Sequence, residues 1–318
     1  MAANQSLLSS GWDMVSRNKR YILWFYVLNL ALAFFGTAAF SNQAHEVLDH
    51  SLLSDRLVHG LDATVFFEML ARPEFGPMKA ATASASDLAL LFFVFTALFL
   101  PGVLMGYAST YRLPGGDFFR ACGRNLWRFV RLMIVAAVVM GIAAAALFSI
   151  RIPLMKAADT STNELMSFYM SLVTLAVIFL IMCALRIWFD IAQADVVLSD
   201  QKAVRRSIAR AFRHTMRHLG RLLGSYVIST LVAAVILAAG IFVWIKFVPA
   251  ASVFGAMLVS QFTLLLLLIP RFWQRGVAVS YYLQYMVEPI PVQQFAPAPV
   301  AAPAVVETRP IQVVPGSN

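Results

Sequence analysis

Apolar residues along the chain gather into six long runs, about 21–40, 87–107, 132–150, 166–189, 222–247 and 253–273, separated by stretches rich in Arg, Asp and Glu. A run of about 20 apolar residues is what a helix needs to cross roughly 30 Å of hydrocarbon. Inside lipid, backbone polar groups must be satisfied within the segment, which leaves the helix as the form such runs take. The pattern predicts an all-α fold, a polytopic transmembrane bundle of six helices. The first run, Tyr21 to Phe40, directly follows Arg17, Lys19 and Arg20. Gly36 and Ala38 would suit a cleavage point, but a signal-peptide core spans only about 7–15 residues. We therefore read an uncleaved first span.

Two of the intervening stretches have opposed faces at helical spacing. In Lys202–Arg221 the apolar side holds Val204, Ile208, Phe212, Met216 and Leu219, and the basic side Arg206, Arg210, Arg213, Arg217 and Arg221. Residues 112–131 repeat the design, with Arg120, Arg124, Arg128 and Arg131 opposite Phe119, Cys122, Leu126 and Phe129. Such segments are expected to be amphipathic helices lying at a lipid surface. Span two, basic helix and span three thus echo span four, basic helix and span five, as an internal duplication would. Segment 41–86 is the acidic counterpart, with Val47, Leu52, Leu57 and Leu61 among Glu46, Asp49, Asp55 and Asp62. Residues 287–318 are rich in Pro and Ala and predict an extended tail without a packed core.

Within the spans, Ala137, Gly141 and Ala145 share one face, as do Thr230, Ala234 and Ala238. Small residues four apart let helices approach closely in lipid, so these are the expected helix-packing faces. Pro101-Gly102 predicts a kink near the end of span two. Arg186 and Asp190, one turn apart, are expected to pair at the membrane boundary.

Composition sharpens the picture. Apolar residues make up 60% and charged residues 13% of the chain, far from the balance of a soluble domain. A net charge of +9 would suggest nucleic acid in a soluble chain. Here the basic helices lie beside headgroups, where each Lys or Arg near an anionic surface contributes about 1 kcal/mol. Anionic phospholipid is the expected partner, with a membrane protein or a second copy of the chain as the other, and nucleic acid is excluded. Nineteen of the 25 Lys and Arg fall in the segments that alternate to one side, which places residues 1–20 and the tail in the cytoplasm and segment 41–86 outside. Cys122 and Cys183 form no CxxC pair and read as small apolar residues.

Candidate chemistry is sparse. His214 and His218 have metal-face spacing, but Thr215 stands where a zinc-protease helix needs Glu, and arginines surround the pair. They read as interfacial, partly protonated histidines. Asp190, Asp195 and Asp200 are spread around their helix and read as anchors. Polar residues inside the spans are Asn29, Thr96, Thr174, Gln261 and Thr263, with no charge near a span centre. No GxSxG, GxGxxG, Walker loop or HExxH occurs. The expectation is a non-enzymatic scaffold or regulatory protein without cofactor or metal. A lipid-handling permease is the alternative, and a polar cavity reaching Asn29 or Gln261 would favour it. An enzyme acting on lipids would need converging acids.

The run Arg186 to Tyr226, and within it Val196-Val197-Leu198-Ser199-Asp200 and Ala203 to Ser207, resembles bacterial six-helix membrane proteins. These are the membrane domain associated with glycerophosphodiester phosphodiesterases and the YciC-type inner-membrane proteins; Tyr281-Tyr282 echoes their terminal tyrosines. Segment 41–86 and the proline-rich tail depart from that pattern. The resemblance implies a bundle in a bacterial inner membrane concerned with lipid or envelope homeostasis. It implies no hydrolase activity, because the phosphodiesterase barrel is missing from this sequence.

Overall fold

The structure, a computed structural model, describes residues 6–48, 78–159, 164–199, 203–249 and 252–287. Among them every regular element is helical: α1 (Leu7–Arg17), α2 (Arg20–Leu48), α3 (Met78–Ala108), α4 (Gly115–Asp159), α5 (Glu164–Leu198), α6 (Val204–Arg217), α7 (Leu219–Phe247) and α8 (Val253–Tyr285). Five stretches are long and apolar enough to cross a membrane: Leu88–Ala108, Gly115–Lys156, Leu165–Leu198, Leu219–Phe247 and Phe254–Tyr285. The first apolar run lies on α2, whose described apolar part is Arg20–Phe34. Residues 49–77, most of the acidic segment, and the tail from 288 onward lie outside the described residues.

The polar N-terminal stretch turns out to be a helix. Ser6 caps α1 by accepting the Ser9 N–H, and Leu7, Gly11 and Val15 recur at one-turn intervals on its buried side. That side lies against α8, where glycine meets glycine: a Cβ on Gly276 would stand 2.5 Å from the Gly11 carbonyl oxygen. The Trp273 indole N–H donates to Leu8 O at 2.9 Å, and the Trp12 and Trp273 rings meet edge to face at 5.4 Å.

Two boundaries differ from the sequence expectation. The basic stretch 112–131 is no separate surface helix, because α4 runs unbroken from Gly115 through the third apolar run. At 1.5 Å per residue this 45-residue helix is about 67 Å long, twice the hydrocarbon thickness. The basic stretch 202–221, conversely, is broken at His218, whose N–H reaches back to both His214 O and Thr215 O in a tightened last turn. Arg221 therefore sits on α7, not on the basic helix α6.

The core is concentrated at one end of the bundle. Tyr21, Tyr107, Phe118, Phe129, Ile191 and Tyr281 are among its fully buried side chains. They come from α1, the starts of α2, α4 and α7, the ends of α3, α5 and α8, and α6. These parts form a packed base. Beyond it the apolar stretches continue as legs whose side chains, such as Ile142, Leu172, Val235 and Phe262, remain exposed by the chain itself. Apolar legs of this length are stable when hydrocarbon covers them.

The small-residue faces also need correction. Ala137, Gly141 and Ala145 are exposed, and a Cβ on Gly141 would meet nothing within 4 Å. The buried side of α4 is Phe129, Leu132 and Ala136. On α7, Ala234 and Ala238 are exposed while Leu222, Tyr226 and Ser229 are buried. Thr230 is half-buried and receives the Gln274 amide at 3.1 Å. Along the legs α7 meets α8 at Gly240, where a Cβ would lie 2.4 Å from Thr263 Oγ1. Each packed face is offset by a residue or so, about 100° of rotation, from the face that smallness alone selects.

Candidate functional site: a charged cluster where base and legs meet

α5 does not stop where its apolar run ends, and its next turns carry acids into the base. Asp190 is buried beside the Tyr226 hydroxyl on α7, which donates to Asp190 Oδ2 at 2.9 Å and lies 3.2 Å from Gln274 O on α8. Arg186 Nε stands 3.8 Å from Asp190 Oδ2, as the one-turn spacing predicts. Arg275 on α8 approaches Asp190 Oδ1 at 3.9 Å and donates to Gln193 Oε1 at 3.0 Å. One carboxylate thus answers two arginines from different helices. A buried charge of either sign is tolerable only with such partners.

Asp195 serves a second, separate pair. Its side chain is fully buried, and Arg210 on α6 reaches Oδ1 at 3.3 Å while Oδ2 has no partner. Arg210 stays exposed on the basic stripe and in addition supplies the counter-charge of this buried acid. The face of α6 that packs on α5 is also unexpected: Ser207, Ala211 and Thr215 are buried, between the apolar and basic stripes. Trp188 sets this docking, donating its indole N–H to Ile208 O at 2.9 Å and meeting the Phe212 ring at 5.0 Å. Small side chains let α6 lie close to α5, and Phe212 and Met216 are left exposed.

The remaining stripe residues are spread over the base surface. Arg120, Arg124, Arg131, Arg206, Arg213, Arg217 and Arg221 are exposed, and Arg128 is half-buried. Arg120 pairs with Asp117 at 3.4 Å, Arg131 lies over the Trp127 ring at 4.9 Å, and Arg221 donates to the Tyr285 hydroxyl at 2.6 Å. Large apolar side chains stand exposed among them, including Phe119, Trp127, Phe212 and Met216.

His214 and His218 do not face a common point. His218 Nδ1 lies 2.8 Å from the Tyr281 hydroxyl, while His214 Nδ1 is buried without a partner. Burial pushes the His214 pKa down, helped by His218, Arg210, Arg217 and Arg213. Its neutral form is favoured, against the partly protonated role expected for it. Among the described residues no three His, Cys, Asp or Glu side chains gather as a metal site would require.

The last apolar run of the sequence ends near residue 273, between Arg271 and Arg275. α8 nevertheless continues to Tyr285, with Val277, Ala278, Val279 and Tyr281 buried beyond the two arginines. The signal was present in the apolar stretch that follows them. Together with Thr96 and Asn29 they line a cleft between α2, α3 and α8, with walls that include Phe92, Leu268 and Phe272. The cleft is shallow: its enclosed volume is about 10 Å³, and the rest of the space opens at its mouth.

Against protein-family models, curated proteins and solved structures, the chain gives no match.

Proposed function

We propose that this chain is a non-enzymatic scaffold or regulatory protein of a bacterial inner membrane that engages anionic phospholipid through its basic base. The observation that carries this reading is the mixed surface of α4 and α6. Exposed Arg120, Arg124, Arg206, Arg213 and Arg217 alternate with exposed Phe119, Trp127, Phe212 and Met216, on segments joined directly to the apolar legs. Aromatic and basic side chains in this mixture suit the headgroup layer, where one satisfies hydrocarbon and the other phosphate. The bias of Lys and Arg supports a cytoplasmic base, and the likeness of Arg186–Tyr226 to YciC-type proteins accords with an inner membrane.

The test is nanodisc reconstitution in a mixture of phosphatidylglycerol and phosphatidylcholine, followed by lipid analysis of the annulus. Wild type is expected to enrich the anionic lipid, and a variant with Arg120, Arg124, Arg206, Arg213 and Arg217 changed to Gln to lose most of that enrichment. Equal enrichment in both proteins would sink the reading.

A second reading, a lipid-handling permease, is favoured by the cleft that reaches Asn29. Gln261 is instead held by the Tyr26 hydroxyl at 3.3 Å. Accelerated flipping of a fluorescent phospholipid in proteoliposomes would move the conclusion to that reading.

A further inference from the structure

Two features of the cleft between α2, α3 and α8 are left unanswered by the packing around it. The first is charge. Arg275 is balanced by Asp190 and Gln193, but Arg271, exposed at the mouth of the cleft, pairs with no carboxylate among the described residues. Its guanidinium rests 5.5 Å from the Phe92 ring centre. Among the described residues Asp190 is already the counter-charge of both Arg186 and Arg275, so with Arg271 beside them positive charge is in excess where the apolar legs begin.

The second is a hydroxyl. Thr96 is 7% exposed, lines the cleft, and its Oγ1 has no hydrogen-bond partner. Other threonines of the legs behave differently. Thr174, Thr230 and Thr263 each donate to the carbonyl four residues back in their own helix, at 2.7, 2.8 and 2.7 Å. Thr96 makes no such bond, and its donor remains available to an occupant.

An unpaired guanidinium and a buried free hydroxyl facing one cleft ask for a group that only accepts hydrogen bonds and carries negative charge. The apolar walls and the adjoining legs ask for a ligand with a hydrocarbon part. We infer that the cleft takes the phosphate group of one anionic phospholipid, with Arg271 forked onto its oxygens and Thr96 donating to it. The phosphate then sits at the mouth of the cleft, and the rest of the headgroup and the acyl chains lie outside it, along the legs. This goes beyond the surface reading: it is one lipid at fixed stoichiometry, and it uses none of the five arginines on which that reading rests. Free phosphate shares the polar contacts and gains nothing from the apolar walls.

Native mass spectrometry of the full chain in detergent, titrated with phosphatidylglycerol, with phosphatidylcholine or with inorganic phosphate, tests it. Wild type is expected to hold one phosphatidylglycerol in preference to phosphatidylcholine. R271Q should weaken it about tenfold or more, as loss of a charge-assisted fork does. T96V should weaken it too while leaving the lipid-free protein at least as stable, because it removes an unmatched hydroxyl at nearly constant shape. If R271Q does not yield folded protein, T96V decides alone. Wild-type retention in both variants would overturn the proposal. So would inorganic phosphate binding as tightly as the lipid, which would assign the cleft to a free anion. Retention lost only in the five-arginine surface variant would remove the cleft and leave the surface reading standing. The converse pattern would remove the surface reading and leave the cleft.

Discussion

The Tyr226 hydroxyl donates to Asp190 Oδ2 across 2.9 Å, and that hydroxyl also lies 3.2 Å from the Gln274 carbonyl oxygen. One phenol thereby ties α7 to both α5 and α8 at the depth where the base meets the legs. The carboxylate it touches is also the counter-charge of Arg275, so the hydroxyl and the ion pair depend on the same atom group.

From this geometry Y226F is expected to cost about 1.5–3 kcal/mol, the value of a hydrogen bond to a charged acceptor. D190A removes the acid itself and leaves Arg275 buried and unanswered, for which about 3–5 kcal/mol is expected. Thermal unfolding in detergent micelles reads both. A smaller loss for D190A than for Y226F would contradict the assignment of Asp190 as the shared counter-charge.

Arg210 and Arg213 lie on the same helix and look equivalent in the sequence. Only Arg210 reaches the fully buried Asp195. R210Q is expected to lower stability by about 1–3 kcal/mol, because it orphans a buried acceptor. R213Q, at the surface, should stay within about 0.5 kcal/mol of wild type. Equal effects would show that the pair is not formed.

Gly141 and Gly240 discriminate between the small-residue face that the sequence suggests and the seam that the structure shows. Gly141 has open space around it, and G141A is expected to be neutral or stabilising by up to about 1 kcal/mol through helix propensity. At Gly240 the added methyl would collide with Thr263, and G240A should cost about 1–3 kcal/mol. The reverse order in a melting experiment would restore the original face.

His214 gives a pH dependence with a definite sign. Its folded pKa is below the ordinary value, so the unfolded chain binds its proton first as pH falls below about 6.5. The contribution of neutral His214 is present above that pH and is lost as pH drops through the folded value. H214Q should therefore flatten the melting temperature between about pH 5 and 6.5. A variant whose acid destabilisation matched wild type would assign the effect elsewhere.

The apolar runs made the helices legible, because a run long enough to cross hydrocarbon admits little else. Helix ends were less legible. Hydropathy reports where lipid begins, and α4, α5 and α8 pass that boundary to build the base. Burial faces were not legible from residue size: the small faces of α4 and α7 point outward, while packing is fixed by partners such as Thr263 opposite Gly240. Arg186 and Asp190 were found because their spacing is local. Tyr226, Gln274 and Arg275 complete the same cluster from distant parts of the chain, which no periodicity connects. The last apolar run closes near Trp273 because a charge after such a run ordinarily lies in water; α8 continues past it, and Asp190 in the base supplies the counter-charge of Arg275.

The contact of Gly11 with Gly276 also sets a schedule for biosynthesis. α1 is the first described helix to leave the ribosome and α8 is the last. At translation speeds of about 5–20 residues per second, α1 waits roughly 13–50 s for its partner. In that interval its apolar side has α3 and the bilayer surface to rest on, but not α8. A nascent chain stopped before Gly276 would insert its earlier spans and still lack the glycine surface on which α1 settles, so completion of the last helix is the event that closes the base.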